Sequence, residues 1–146
     1  MNKQVEPYQI KGYLKKYERL YDERIELISA KSALIVSMQN AKAVEYSPIP
    51  HGSNGVKKDL SDYIIKLDRY YSRIGKLERA QEKLRKKYYK MFECLEENEA
   101  AVLKKRYIEF KDWNTIAKEM KKSRMQISRY HKKALEKMAS YKKSKE

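Results

Sequence analysis

The chain has 146 residues, 38% of them charged, and only seven are glycine or proline. This length predicts one domain, or one small domain with an extension, and the scarcity of helix breakers predicts an all-α fold. The net charge of +15 predicts a polyanionic partner. The single cysteine, Cys94, excludes an internal disulfide and a cysteine-based zinc cluster, and the longest apolar stretch, residues 33–36, is too short to cross a bilayer. We therefore expect a reducing compartment and no membrane partner.

A first helix is predicted from about Tyr8 to about Val44. Apolar residues recur there in two neighbouring rows at steps of three, four and seven, which together make one wide apolar face. The rows are Tyr13, Tyr17, Leu20, Leu27, Leu34 and Met38, and Leu14, Tyr21, Ile25, Ile28 and Ile35. Residues 46–56 then contain two prolines and two glycines, which predicts a loop.

A second helix is predicted to start between residues 57 and 61, with Asp59 or Ser61 as its cap. Its apolar positions mostly alternate steps of four and three, as in a heptad seam, with interruptions at Glu78 and Gln81. They are Leu60, Ile64, Leu67, Tyr71, Ile74, Leu77, Leu84, Tyr88, Met91 and Leu95. The seam predicts either an antiparallel hairpin with the first helix, over residues 1–94, or pairing between two chains in a homodimer. The hairpin within one chain and the pairing between two chains are compatible with each other.

Two shorter helices are predicted to follow. The third runs from Leu95 to about Glu109, with acids at its start and bases at its end, an order that complements the helix dipole. Its buried stripe is predicted to be Ala100, Leu103 and Tyr107, with Val102 beside it. The fourth runs over residues 112–120, with Asp112 or Asn114 as its cap.

Residues 113–135 are typical of a helix-turn-helix. Ala117 is small enough for the next helix to cross closely, residues 121–122 form a tight turn, and Ser123 caps a last helix that runs from Arg124 to about Tyr141. The docking face of that helix is predicted to be Ile127, Tyr130, Ala134, Leu135 and Met138. Residues 123 to about 137 would then be the recognition helix, so we expect residues 95–146 to be a DNA-binding domain.

The opposite face of this helix carries the predicted DNA contacts. Arginine pairs with guanine edges and glutamine with adenine edges in the major groove, while lysines contact phosphates. The base-reading candidates are Arg124, Met125, Ser128 and Arg129, with Gln126 at the margin. The phosphate candidates are Lys121, Lys122, Lys132, Lys133 and Lys137. Between residues 121 and 145 there are ten basic residues and one acidic residue, an imbalance that an ordinary solvated helix does not show.

The segment from Leu95 to Leu135 resembles region 4 of bacterial sigma factors. The resemblance rests on Arg106-Tyr107, Trp113, Ile116-Ala117, Ser123 and the run from His131 to Leu135. The whole chain resembles phage-encoded regulators of the ArpU/RinA type, which join a helical N-terminal part to a C-terminus of this kind. The resemblance implies an activator of phage late or packaging genes that acts with the host RNA polymerase in the bacterial cytoplasm.

Other functions compete with a DNA-binding regulator. A small-terminase-like packaging protein also joins a helix-turn-helix to helices that oligomerise, and a basic helical module could bind an acidic protein. We do not expect an enzyme, because no nucleophile, base and stabilising group occur together. We expect no cofactor and no metal, because neither His51 nor His131 has further ligands at metal-binding spacing. Both histidines are predicted to be surface or packing residues, and Trp113 is predicted to be a core anchor. The tyrosines of the apolar rows are predicted to lie in the core with hydroxyls that reach water.

Overall fold

In a computed structural model, residues 5–45 and 60–145 are described, and they form helices without a strand. The helices are α1 (Pro7–Glu45), α2 (Leu60–Phe92), α3 (Glu97–Leu103), α4 (Trp113–Met120) and α5 (Arg124–Lys145), and a π-helical turn, Lys104–Ile108, continues α3. The all-α prediction is confirmed. None of the helices in these two ranges combines the length and the apolar composition that a membrane-spanning segment requires. The predicted loop at 46–56, with His51, and the predicted cap Asp59 lie outside the described residues.

Most helix ends agree with the sequence prediction to within a few residues, but α3 differs from it. The predicted helix over residues 95–109 begins instead at Glu97, and its α-helical hydrogen bonding ends at Leu103. In the π-helical turn the N–H of Glu109 donates to the carbonyl of Lys104, 3.0 Å away. This turn adds a residue to each hydrogen-bonded ring, so the regular apolar spacing could not predict it. Of the two caps predicted for α2, Ser61 lies inside the helix.

The chain divides into two compact units. One, called here the core unit, comprises residues 1–20 and 80–146, and the other, called here the second unit, comprises residues 21–79. In the core unit one apolar cluster joins α1, α2, the α3 segment and α5. Its buried members are Ile10, Leu14, Tyr88, Met91, Phe92, Leu103, Tyr107, Ala134, Leu135, Met138 and Ala139. This cluster spans the domain boundary predicted between residues 94 and 95, and that boundary stays a prediction.

The second unit pairs α1 with α2 antiparallel within one chain. Arg73 reaches Glu23 at 3.8 Å, and the Lys31 ammonium lies 4.7 Å from the centroid of the Tyr71 ring. Ile25, predicted on the apolar face of the first helix, is 42% exposed, and Ile64 and Tyr71, predicted on the seam of the second helix, are 51% and 53% exposed. The prediction that these side chains are buried is therefore wrong. Two paired helices bury only the faces turned towards each other, and the apolar face read from the sequence is wider than that. Pairing between two chains stays a prediction.

Tyr88 joins α2 to α1 in the core unit. Its side chain is fully buried, and its hydroxyl donates to the carbonyl oxygens of Tyr13 (2.5 Å) and Leu14 (3.3 Å). The Tyr13 ring stands edge-on to it at a centroid distance of 5.2 Å. The prediction that the hydroxyl of this tyrosine reaches water is therefore wrong, and burial raises the pKa of Tyr88 above its usual value.

Replacing Tyr88 by phenylalanine removes this hydroxyl while keeping the ring. We expect Tyr88→Phe to lower the free energy of unfolding by about 1 kcal/mol, the net contribution of one buried hydrogen bond. The neighbouring variant Tyr89→Phe is the control, because the Tyr89 side chain is 38% exposed and we expect a change below about 0.5 kcal/mol there. Urea denaturation measures both values. Equal effects of the two variants would contradict the assigned role of Tyr88.

Candidate nucleic-acid interface

Glu99 fixes α3 against α5. Its side chain is only 1% exposed, and both of its carboxylate oxygens accept from the Lys137 ammonium, at 3.0 and 2.9 Å. The N–H of Glu96 donates to the same carboxylate at 3.3 Å. A buried carboxylate needs such partners, and this pair raises the pKa of Lys137. The phosphate contact predicted for Lys137 stays a prediction, but its charge already has a partner inside the protein.

The start of α4 is fixed by a side-chain cap. Asp112 Oδ1 accepts from the N–H of Thr115 at 2.8 Å, which confirms one of the two predicted caps. Hydrogen bonds from the side chain and the N–H of Thr115 hold the pKa of Asp112 below its usual value. The apolar side of α4 packs against α3 and α5 in a second apolar cluster. Its buried residues are Val102, Ile116 and Ile127, and it is flanked by Trp113, Ala117, Met120 and Tyr130. The predicted docking of α5 through Ile127 is confirmed.

Glu119, on the outer side of α4, pairs with two lysines. Its carboxylate accepts from Lys105 at 2.8 Å and from Lys111 at 2.9 Å, and Glu109 reaches the latter at 3.4 Å. These hydrogen bonds lower the pKa of Glu119, and the bond to Glu119 raises that of Lys111. Three acids, Glu99 of α3, Glu109 of the segment between α3 and α4, and Glu119 of α4, are therefore paired with lysines of the protein.

The turn between α4 and α5 has the predicted position. Lys121 adopts the left-handed conformation, with φ 56° and ψ 43°. Its N–H donates to the carbonyl of Lys118 at 3.3 Å, and the N–H of Lys122 donates to the carbonyl of Ala117 at 3.1 Å. These are the two bonds of a Schellman motif, which ends a helix and reverses the chain. Both lysines are exposed.

The start of α5 is closed by a capping box. Ser123 Oγ accepts from the N–H of Gln126 at 3.2 Å, and Gln126 Oε1 accepts from the N–H of Ser123 at 3.3 Å. The cap predicted at Ser123 is confirmed. The reciprocal bond was not predicted, although the Ser-x-x-Gln spacing signals it. Base reading by Gln126 stays a prediction. Its amide oxygen, which would be needed to pair with an adenine edge, already accepts the hydrogen bond from the N–H of Ser123.

The exposed face of α5, called here the recognition face, brings the remaining candidates together. It comprises Arg124, Met125, Ser128, Arg129, Lys132 and Lys133, all of them exposed. Met125 is 66% exposed, and its sulfur lies 3.6 Å from Nη2 of Arg129. Within residues 5–45 and 60–145, no carboxylate forms an ion pair with any cation of this face. The face therefore offers cations that form no ion pair with a carboxylate, and such cations are attracted to a phosphate backbone.

An aromatic network that the sequence did not predict holds the middle of α5. The Tyr107 hydroxyl and His131 Nε2 share a hydrogen bond of 2.7 Å, and the Trp113 ring stands edge-on to His131 at a centroid distance of 4.8 Å. The Arg106 guanidinium lies 4.7 Å from the centroid of the Trp113 ring. Burial raises the pKa of Tyr107 to about 12 and lowers that of His131 to about 4, with smaller contributions from the charges of Lys11 and Arg106 to the histidine.

This network gives His131 a packing role. A neutral imidazole between Tyr107 and Trp113 connects α5 to the π-helical turn and to α4. The sequence signal was the set of aromatic and basic residues at 106–107, 113 and 131, but their contact depends on packing between helices.

No group of three or more potential metal ligands occurs among the residues that the structure describes.

These helices, caps and faces define a helix-turn-helix of the DNA-binding type. Residues 91–139 match the family model of Sigma-70, region 4, a DNA-binding regulatory domain rather than an enzymatic one. The match extends from the end of α2 through α3, the π-helical turn and α4 into α5. Comparison with curated proteins and with solved structures gave no match. Residues 91–139 are thus similar to Sigma-70, region 4, and this similarity indicates a DNA-binding function related to transcription.

Replacing Lys121 by glycine tests the left-handed turn between α4 and α5. A left-handed backbone is strained for lysine and unstrained for glycine, so we expect Lys121→Gly to raise the free energy of unfolding by about 0.5–1 kcal/mol. Lys122→Gly is the matched control, because it removes the same charge at a residue with negative φ and should lower stability. Thermal unfolding followed by circular dichroism compares the two. A loss of stability in Lys121→Gly would contradict the Schellman geometry.

The buried histidine makes stability depend on pH. Because the pKa of His131 is about 4 in the folded chain and 6.5 when unperturbed, the unfolded chain binds the proton first. The free energy of unfolding should therefore fall as pH decreases from 6.5 to 4, by about 2 kcal/mol once the partial exposure of the ring is allowed for. In His131→Gln this contribution disappears, while the carboxylates still titrate. Urea denaturation at several pH values should show a flatter profile for the variant, and identical profiles would contradict burial of the neutral ring.

Proposed function

We propose that the chain is a sequence-specific regulator of transcription that binds double-stranded DNA with α5 in the major groove. The observation that supports this most directly is the division of charge around α5. Glu99 at the contact between α3 and α5 and Glu119 on the outer side of α4 are paired with lysines, whereas no cation of the recognition face forms an ion pair with a carboxylate of the described residues. A duplex offers phosphates along both edges of the groove, so a helix with this distribution is attracted to it.

The proposed roles follow from position along α5. Arg124, Met125, Ser128 and Arg129 occupy its first two turns, which enter the groove deepest in helix-turn-helix proteins, and they are proposed to read base edges. Lys121 and Lys122 in the turn, and Lys132 and Lys133 further along α5, are proposed to contact phosphates. The N-terminal end of α5 adds its own partial positive charge to this contact.

The proposed mechanism is recruitment of RNA polymerase to the bound site. The match of residues 91–139 to Sigma-70, region 4 supports a role beside the polymerase. The narrower setting, activation of phage late or packaging genes in a bacterial cytoplasm, rests on the resemblance of the whole chain to regulators of the ArpU/RinA type. Binding as a homodimer is a further proposal, which the symmetry of the DNA site would test.

Selection from random-sequence duplexes tests this function. The purified protein is incubated with a random library at about physiological salt, where nonspecific binding is weak, and bound DNA is sequenced. We expect an enriched motif, and a palindrome would indicate two chains on one site. Salt-sensitive binding without enrichment would overturn sequence-specific reading, and it would favour a packaging role of the small-terminase kind or a protein partner.

Two alanine variants separate base reading from phosphate contact. On the selected site, we expect Arg124→Ala to lose about 1–3 kcal/mol of binding free energy and to relax the preference at one base position. We expect Lys133→Ala to weaken all sequences alike and to reduce the salt dependence of log K by about one. Fluorescence anisotropy at several salt concentrations measures both effects. If Arg124→Ala bound every sequence with unchanged preference, the recognition face would be misplaced.

A further inference from the structure

A second basic surface, called here the basic groove, lies on the paired helices of the core unit. It runs between α1, which contributes Lys16, Arg19 and Leu20, and α2, which contributes Ala80, Lys83, Leu84 and Lys87. Its volume is about 430 Å³, and no residue of α4 or α5 lines it. It is thus separate from the recognition face, and the proposed function does not use it.

The groove combines an apolar floor with basic rims. Leu20 and Leu84 on the floor are half-buried, and Leu84 packs against the apolar cluster of the core unit, so the floor has rigid support. The four cations on the rims are all exposed. A groove of this kind can take apolar side chains at its centre and negative charges at both edges.

The cations of each rim repel one another. Lys16 and Arg19 are three residues apart on α1, and Lys83 and Lys87 are four residues apart on α2, spacings at which like charges destabilise a helix. Within the described ranges none of the four forms an ion pair with a carboxylate. The acid closest in sequence on α2, Glu82, pairs instead with Arg85 at 2.8 Å. An external anionic group would relieve this repulsion.

We propose that the basic groove binds an acidic amphipathic helix of a partner protein. Apolar side chains of that helix would lie on Leu20, Ala80 and Leu84, and its carboxylates would pair with both rims. A DNA backbone would satisfy the rims but has nothing to place on the apolar floor. As the occupant of this groove a second copy of this chain is disfavoured, because a chain with a net charge of +15 would then face two basic rims. The recognition face can hold DNA while the groove holds such a partner.

The test uses a fluorescent synthetic helical peptide with leucines along one face and glutamates on both sides of them. We expect Lys83→Ala/Lys87→Ala to weaken binding of this peptide to the full chain about tenfold, since two charge pairs are lost. The matched control, Lys86→Ala/Lys90→Ala, removes two exposed cations at the same spacing on the same helix, outside the groove. We expect a change of less than about twofold for it. Circular dichroism verifies that both variants are folded.

The same experiment shows when the proposal is wrong. Equal losses in the two double variants, or equally tight binding of a peptide with the same composition in shuffled order, would mean that only net charge is sensed. A groove variant that loses affinity for duplex DNA but not for the peptide would assign the groove to DNA. Because duplex binding is measured separately, failure of the groove proposal is distinguishable from failure of the proposed function.

Discussion

A carboxylate removed from water needs a cation or hydrogen-bond donors, and Glu99, at 1% exposure, lies almost fully inside the protein. It obtains the Lys137 ammonium on one side and the N–H of Glu96 on the other. Breaking such a pair leaves a buried charge uncompensated, which is more costly than never forming the pair. The pair therefore fixes the position of α5 along α3.

With α5 held at this point, the rest of the domain is constrained. The buried face of α5 packs through Ala134, Leu135 and Met138 on the ends of α1 and α2, while His131 fills the space between Tyr107 and Trp113. At the other end, the left-handed turn and the capping box determine where α5 starts. The recognition face is what remains of α5 after these contacts, and none of its cations forms an ion pair with a carboxylate of the described residues.

Features that depend on short sequence spacing could be predicted. The caps at Asp112 and Ser123, the turn at residues 121–122 and the buried face of α5 follow from local patterns, and the structure has all of them. Features that depend on packing between distant segments could not be predicted from the sequence. Glu99 looked like an acid placed to favour the helix dipole, and nothing in its neighbours indicates burial. The contact between Tyr107 and His131 joins residues 24 positions apart.

The central claim is that α5 meets DNA through its exposed first turns, and methionine methyl resonances test it directly. Met125 is 66% exposed on the recognition face, whereas Met91 and Met138 are buried in the core unit. With methyl-labelled methionine in the full chain, a selected duplex should shift the Met125 signal and leave the Met91 and Met138 signals in place. Duplex binding that leaves Met125 unchanged would contradict the account, because DNA would then occupy a surface other than the recognition face.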